Sequence, residues 1–343
     1  MFDVITFGSA TRDIFVEMPR EYIKKEKQLI SGRGFVFNIG SKIDIPGMQF
    51  AFGGGGVNTA SSFIKQGFQT AYCGMIGDDI AGRELVEHLK ALNIDTSFIC
   101  TTRDRATNSS VVISARGEDR VILVYRGASE LLDKNDIDWN RLAAKLFYLA
   151  PLSGQLSTLT ETLTTYAKKI GAIVAANFGN SQLKLEEKRL KALLAQIDYL
   201  ILNLEEASLM TGISYKNEKK IIAETVRLHQ GVNIITKGKD GAIITAKGMV
   251  YDARQKEFEV IDVTGAGDAF ASGFMCGILN APDDIEYAIK MAMANAKCCL
   301  SSRDSDRLLS KEENYLISSS DVVIKVDNLR LNPFLKQKNE NYN

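Results

Sequence analysis

The strongest constraint on this chain is a rhythm. Short apolar runs rich in β-branched residues alternate with amphipathic stretches of helical length. The runs VITF (4–7), AIVAA (172–176), YLIL (199–202) and VNIIT (232–236) have the length and composition of buried strands. Between them lie stretches such as 82–92, where Leu85, Leu89 and Leu92 share a helical face, with similar patterns over 184–196 and 219–229. Apolar strands separated by helices predict an α/β fold whose mostly parallel sheet is covered on both faces.

Two segments break the rhythm. Residues 13–52 hold short apolar pieces interrupted by Gly32, Gly34, Gly40 and Gly47. Residues 107–125, TNSSVVISARGEDRVILVY, form two alternating runs around a Gly-containing turn, the pattern of a β-hairpin. Segments 13–52 and 105–127 are expected to leave the α/β core and pair into a small β-sheet; the plainer reading is a pair of decorated surface loops. Beyond residue 310 the pattern fades. The expected organisation is a core over 1–310 and an extension over 311–343 whose polar end frays.

Charge narrows the function classes. Lys plus Arg and Asp plus Glu each total 42 of 343 residues. A neutral chain has no bulk electrostatic reason to coat nucleic acid or an anionic membrane, so a small-molecule partner is expected. The five cysteines are Cys73, Cys100, Cys276, Cys298 and Cys299. They have no CxxC spacing, which favours free thiols in a reducing cytoplasm over a disulfide framework or a zinc site. The start, MFDVITFGSA, carries an acid and no basic region, and reads as a first strand rather than a signal peptide. No apolar run approaches the roughly 18 residues that span a bilayer.

The strongest chemical signal is DVTGAGDAFASGFM (262–275). An apolar run at 258–261 reads as a strand leading into Gly265-Ala266-Gly267-Asp268, after which a helix begins. Small residues at Ala269, Ala271, Gly273 and Gly277 would let that helix approach the sheet closely. The first amides of such a helix are unpaired and carry partial positive charge, and residues without bulk let phosphate oxygens reach them. Asp268, in the first turn, is kept ionised by the helix dipole and can take a proton from an attacking hydroxyl. The competing reading is a simple cap.

A second glycine-rich start, FGGGGVNTA (52–60), lets a ligand approach the backbone, and Asn58 offers a donor and an acceptor to sugar hydroxyls. Its competing reading is a turn with Asn58 as N-cap. NLEE (203–206) has the layout of a capping box, and alternatively places Glu206 near a hydrated Mg²⁺. Asp13 faces the same pocket or forms a turn. IITKGKDGAII (234–244) reads as strand–turn–strand, with Gly238 and Gly241 making room for a flat ring. His88 and His229 sit in expected helices without partners at metal-ligand spacing. Neither a Walker A motif nor a GxGxxG with its following acid is present, which counts against a P-loop enzyme and a dinucleotide site.

Taken together, GGGGVNTA, IGDDIAGRELVEHLKALNID and DVTGAGDAFASGFM resemble, in order and over roughly residues 1–300, the ribokinase-like or PfkB family of carbohydrate kinases. The resemblance implies a Rossmann-like central sheet with a small β-sheet lid, possible dimerisation through that lid, and ATP-dependent phosphorylation of a sugar or nucleoside hydroxyl. Carried over by motif, Asp13, Gly54, Gly55 and Asn58 would hold the acceptor. Asn203, Thr236, Gly238 and Gly241 would hold the nucleotide, and Glu206 would organise Mg²⁺. Gly265, Ala266 and Gly267 would form the anion hole and Asp268 the base. Asp262 and Thr264 fall where some members bind a monovalent cation such as K⁺. Ala175-Ala176-Asn177 stands where the family often has Asp-Pro-Asn. A dinucleotide-dependent oxidoreductase and a catalytically silent ligand-binding relative are the rival readings.

Overall fold

The computed structural model describes residues 1–25, 27, 29, 32–118, 120–302, 308–318 and 321–328. Ten strands share one sheet, in the spatial order Val322–Asn328, Met249–Gln255, Ala242–Ala246, Val232–Thr236, Tyr199–Asn203, Ile173–Asn177, Ala144–Leu149, Phe2–Phe7, Thr70–Gly77, Asp95–Thr102. The last seven of these run parallel and the first three are joined antiparallel.

The apolar runs follow from this arrangement. A strand with helices on both faces has no side to give to water, so all of Thr70–Gly77 is buried, as are Val4, Ile5 and Phe7. Alternate side chains feed two cores. Phe7, Phe147 and Val174 point to one, and Val4, Tyr148 and Ala175 to the other, beneath the helices Ala266–Asn280 and Ile285–Leu300. The expected helices appear as Ile80–Ala91, Glu187–Leu194 and Glu218–Leu228.

Strand order reverses at Phe2–Phe7. The chain first builds outward to Asp95–Thr102, then returns through Ala144–Leu149 and builds the other way. Crevices outside the carboxyl ends of strands at such a switch point are where open α/β sheets bind ligands.

The two interrupting segments meet each other. Thr11–Glu17 pairs antiparallel with Gly47–Gly53 and parallel with Asn108–Ser114, which pairs with Val121–Tyr125, making a separate four-stranded sheet. Pairing from opposite ends of a hundred-residue span is what single-segment patterns cannot show.

Three expectations are corrected. Residues 258–261 are not a strand: the sheet position beside Met249–Gln255 is taken by Val322–Asn328, so the chain leaves the sheet at Gln255 and crosses irregularly to the next helix. Val260, Ile261 and Val263 are consequently about half exposed, at 48%, 51% and 47%. Gly273 and Gly277 serve the neighbouring helix rather than the sheet, since a Cβ at Gly277 would lie 2.5 Å from Ala288 Cα. Residues 322–328, within the expected extension, are a strand of the main sheet; its terminal part, 329–343, lies outside the described residues.

Candidate active site

The helix Gly55–Lys65 begins directly over the switch-point strand. Thr6 Oγ1 donates to Gly56 O at 2.9 Å, Gly56 N donates to Ser9 O at 3.1 Å, and Tyr72 Oη donates to Gly8 O at 2.9 Å. Gly54 is the N-cap, at φ +93°, with Ser9 O only 2.5 Å from where its Cβ would stand. Asn58 is therefore not the cap: it lies inside the helix, its amide donating to Gly54 O at 2.9 Å, and its side chain is left for another partner.

That partner is Asp268. Asn58 Nδ2 donates to Asp268 Oδ2 at 2.9 Å across 210 residues of sequence. Asp268 belongs to the first turn of Ala266–Asn280, whose N-cap is Gly265 at φ +74°. Gly265 brings no side chain to the first amides, and a Cβ at Gly267 would meet nothing within 4 Å, so this helix start opens onto free space. The two starts interlock: a Cβ on Gly265 would stand 3.7 Å from Asn58 Nδ2, and one on Gly55 would stand 3.7 Å from Asp268 Oδ1. Burial pushes the Asp268 carboxyl above the usual carboxylate range, against the opposing effect of the Asn58 hydrogen bond.

Asp13 faces the same cleft from the small sheet. It sits in a strand rather than a turn, Ser110 Oγ donates to its Oδ1, and a Cβ on Gly53 would lie 2.5 Å from its Oδ2 and 3.3 Å from Asn58 Oδ1. Burial raises this carboxyl too. Two residues further along the strands, Phe15 and Val112 begin a chamber of about 470 Å³. Its inner wall adds Glu17, Gln49, Ser114, Arg116 and Arg120; Val260, Ile261, Asp262 and Val263 face them.

The other sequence-derived residues line the same sheet edge. Asn203 and Thr236 are partners at the carboxyl ends of adjacent parallel strands. These strands stand three and four places from Phe2–Phe7, about 14 and 19 Å at roughly 4.8 Å per strand. Asn203 and Glu206 form the capping box in full: Glu206 N donates to Asn203 Oδ1 and Asn203 N to Glu206 Oε2, each at 2.8 Å. Burial raises the Glu206 carboxyl. Gly238, at φ +57°, has open space where a Cβ would be. Gly241 answers a packing need instead, because its Cβ would fall 2.1 Å from Ala253 O. Asp262 Oδ1 accepts from Thr264 N at 2.8 Å and Thr264 Oγ1 at 2.7 Å.

Three contributors carried no sequence signal of their own. Ser110 was one polar residue in a hairpin. Asn295, buried, donates to Ser62 Oγ at 2.8 Å and Ala269 O at 2.7 Å, and accepts from Leu309 N at 2.8 Å, tying the two helices together. Tyr148 is a fully buried tyrosine in an apolar strand. His229 is structural: just past its helix, it bonds Asn233 Oδ1 at 2.8 Å and Ile197 O at 3.0 Å. All five cysteines are free. Among the described residues no helix is long and apolar enough to cross a membrane.

A switch-point crevice, two glycine-opened helix starts and a buried carboxylate under a second sheet define an α/β protein of the ribokinase fold. The fold is shared by solved structures. Arabidopsis thaliana ribokinase, complexed with ribose and ATP, superimposes with a TM-score of 0.72 at 21% identity, covering 92% of this chain and 98% of that one. The Methanocaldococcus jannaschii nucleoside kinase, an archaeal member of the ribokinase family, gives 0.71 at 18% identity, covering 93% and 98%. Ribokinase from Haemophilus influenzae is 25% identical over 314 residues, 90% of this chain and 95% of that protein. The profile described as pfkB family carbohydrate kinase matches residues 34–311. The chain belongs to that family and is a sugar kinase.

Proposed function

We infer that this enzyme transfers the γ-phosphate of ATP to a hydroxyl of a sugar or sugar-like acceptor, with Asp268 as the general base. The observation that carries this reading is the Asn58–Asp268 hydrogen bond joining two glycine-opened helix starts in one cleft. The acceptor's proton passes to Asp268, and the freed oxygen bonds to the γ-phosphorus. The bond from that phosphorus to the β–γ bridging oxygen breaks, and ADP leaves. Charge on the transferring group is met by the open amides at Gly265, Ala266 and Gly267. A carboxyl raised toward working pH is a better proton acceptor than an ordinary one. Asp13, Gly54, Gly55 and Asn58 hold the acceptor, and Asn203, Thr236 and Gly238 the nucleotide.

Segments 13–52 and 105–127 act as a lid over the α/β core, excluding water from the transfer. Glu206 spends one oxygen on its own helix cap, which suits contact with a hydrated Mg²⁺ through water rather than direct ligation. Mg²⁺, when bound, neutralises the phosphate chain. Clusters of three His, Cys, Asp or Glu side chains are lacking among the described residues. Asp262 and Thr264 present oxygen donors suited to K⁺. The outer face of the small sheet carries exposed Met48, Phe50 and Leu123, which supports a homodimer formed there.

The chamber beyond Asp13 favours a second reading of the acceptor. Its mixed walls carry both donors (Arg116, Gln49) and acceptors (Glu17, Gln49) beside apolar Phe15 and Val112, which suits a ring with hydrogen-bonding edges, as in a nucleoside. Phosphoryl transfer from Mg·ATP across free sugars, ketodeoxy sugar acids and nucleosides decides between these acceptors. In the same assay Asp268→Asn should lower kcat by roughly 10²–10⁴-fold with KM little changed. A near-normal kcat in that variant would remove Asp268 from the role of base.

A further inference from the structure

The hydroxyl of Tyr148 is enclosed in the protein and has no hydrogen-bond partner among the described residues. Its surroundings suit a phenylalanine: Phe63 packs edge-on at 5.7 Å, and Leu146, Ala150 and Phe270 belong to the same apolar cluster. A buried phenol left unpaired costs stability that a phenyl ring would not. The hydroxyl therefore asks for a reason.

Its position supplies one. Side chains alternate along Ala144–Leu149, so Tyr148 shares a face with Ala150, the face on which the two helix starts sit. Ala150 Cβ lies 2.9 Å from a Cβ built on Gly55, and Asp268 Oδ1 lies 3.7 Å from that same point. Tyr148 thus lies one pleat along the strand from Ala150, the residue that abuts the Gly55 helix start beside Asp268. Consistently, burial and the negative charge of Asp268 both hold the Tyr148 phenol in its protonated, donor form. The other groups around Asp268 are Asn58 on its Oδ2, Asp13 across the cleft, and Asp262 and Cys299 beside the helix start.

We propose that Tyr148 is a positioning residue for the base: its hydroxyl donates to the ionised Asp268 carboxylate when substrate is bound, holding one oxygen turned toward the attacking hydroxyl. This rests on Asp268 being the base. Asn58 steadies the carboxylate from the sugar side, and Tyr148 steadies it from the core side.

The test is Tyr148→Phe, which removes one oxygen and keeps the ring. Expected are an unchanged or higher Tm, a kcat lowered about tenfold or more as one hydrogen bond to a charged group is lost, unchanged KM values, and an acid limb of kcat moved to higher pH. Adding Tyr148→Phe to Asp268→Asn should cost nothing further, because the group it acts through is gone. A variant with normal kcat and acid limb overturns the proposal, and so does one that loses Tm together with kcat. If Asp268→Asn itself stays active, the base assignment has failed; if it is inactive while Tyr148→Phe behaves as wild type, only the role of Tyr148 has.

Discussion

The two glycine-rich helix starts look alike in sequence and do opposite work. At 53–56 every glycine is crowded: a Cβ would meet Asp13 Oδ2 at 2.5 Å, Ser9 O at 2.5 Å, Ala150 Cβ at 2.9 Å and a Tyr72 ring carbon at 2.6 Å, respectively. At 265–267 the glycines are roomy, with nothing nearer than 3.7 Å at Gly265 and nothing within 4 Å at Gly267. Glycine in the first start lets backbones pack against each other and sets Asn58 in place. Glycine in the second leaves the helix start open. A motif's glycines are therefore two kinds of evidence, one about packing and one about open space.

Substitutions can break that contrast. The largest effect is expected for Gly54→Ala, which combines a backbone conformation nearly restricted to glycine with a clash against Ser9 O. Strain of about 1–3 kcal/mol and overpacking of about 1–3 kcal/mol should both appear in denaturant unfolding. A variant as stable as wild type would show that crowding at 53–56 is not structural.

Gly267→Ala should do the reverse. Inside a helix alanine is favoured over glycine by about 0.5–1 kcal/mol, so unfolding should occur at equal or higher denaturant. The new methyl group enters the space proposed for the phosphate, so kcat should fall about tenfold or more, one hydrogen-bonding amide's worth of transition-state stabilisation. Normal turnover would place the transferring phosphate elsewhere.

The smallest effect concerns pH. Burial raises both Asp268 and Asp13 above their ordinary values. As the proposed base, Asp268 must be ionised, so kcat should fall with decreasing pH through a limb lying above the usual carboxylate range near 3.9. For stability the sign reverses. A carboxyl with a raised folded pKa favours the fold below its unfolded pKa, and that contribution is lost as pH rises through the folded value. Asp268→Asn should accordingly not lower stability at neutral pH. An acid limb at an ordinary carboxylate pKa would mean that substrate binding, not burial, sets the base.

Much of this was legible from residue order. Alternating runs marked the parallel sheet, and DVTGAGDAFASGFM marked a helix start with a carboxylate in its first turn. What misled was local: FEVI at 258–261 has strand composition, yet Val322–Asn328 holds the sheet position it would need. Gly241 looked like room for a ring and proved to be room for the Ala253 backbone. Asn58 looked like a cap because its own helix start was the only partner that sequence could offer it.

The sequence by itself determined the α/β class, the two helix starts and the identity of the carboxylate, since periodicity and glycine placement act over a few residues. Only the tertiary structure decided that Asn58 bonds Asp268 across 210 positions, that segments near 13 and 110 share one sheet, and that Tyr148 shares a buried core with Ala150 and Phe270. Those depend on strand order and helix packing, which sum weak contacts over the whole chain and leave no trace at any one residue.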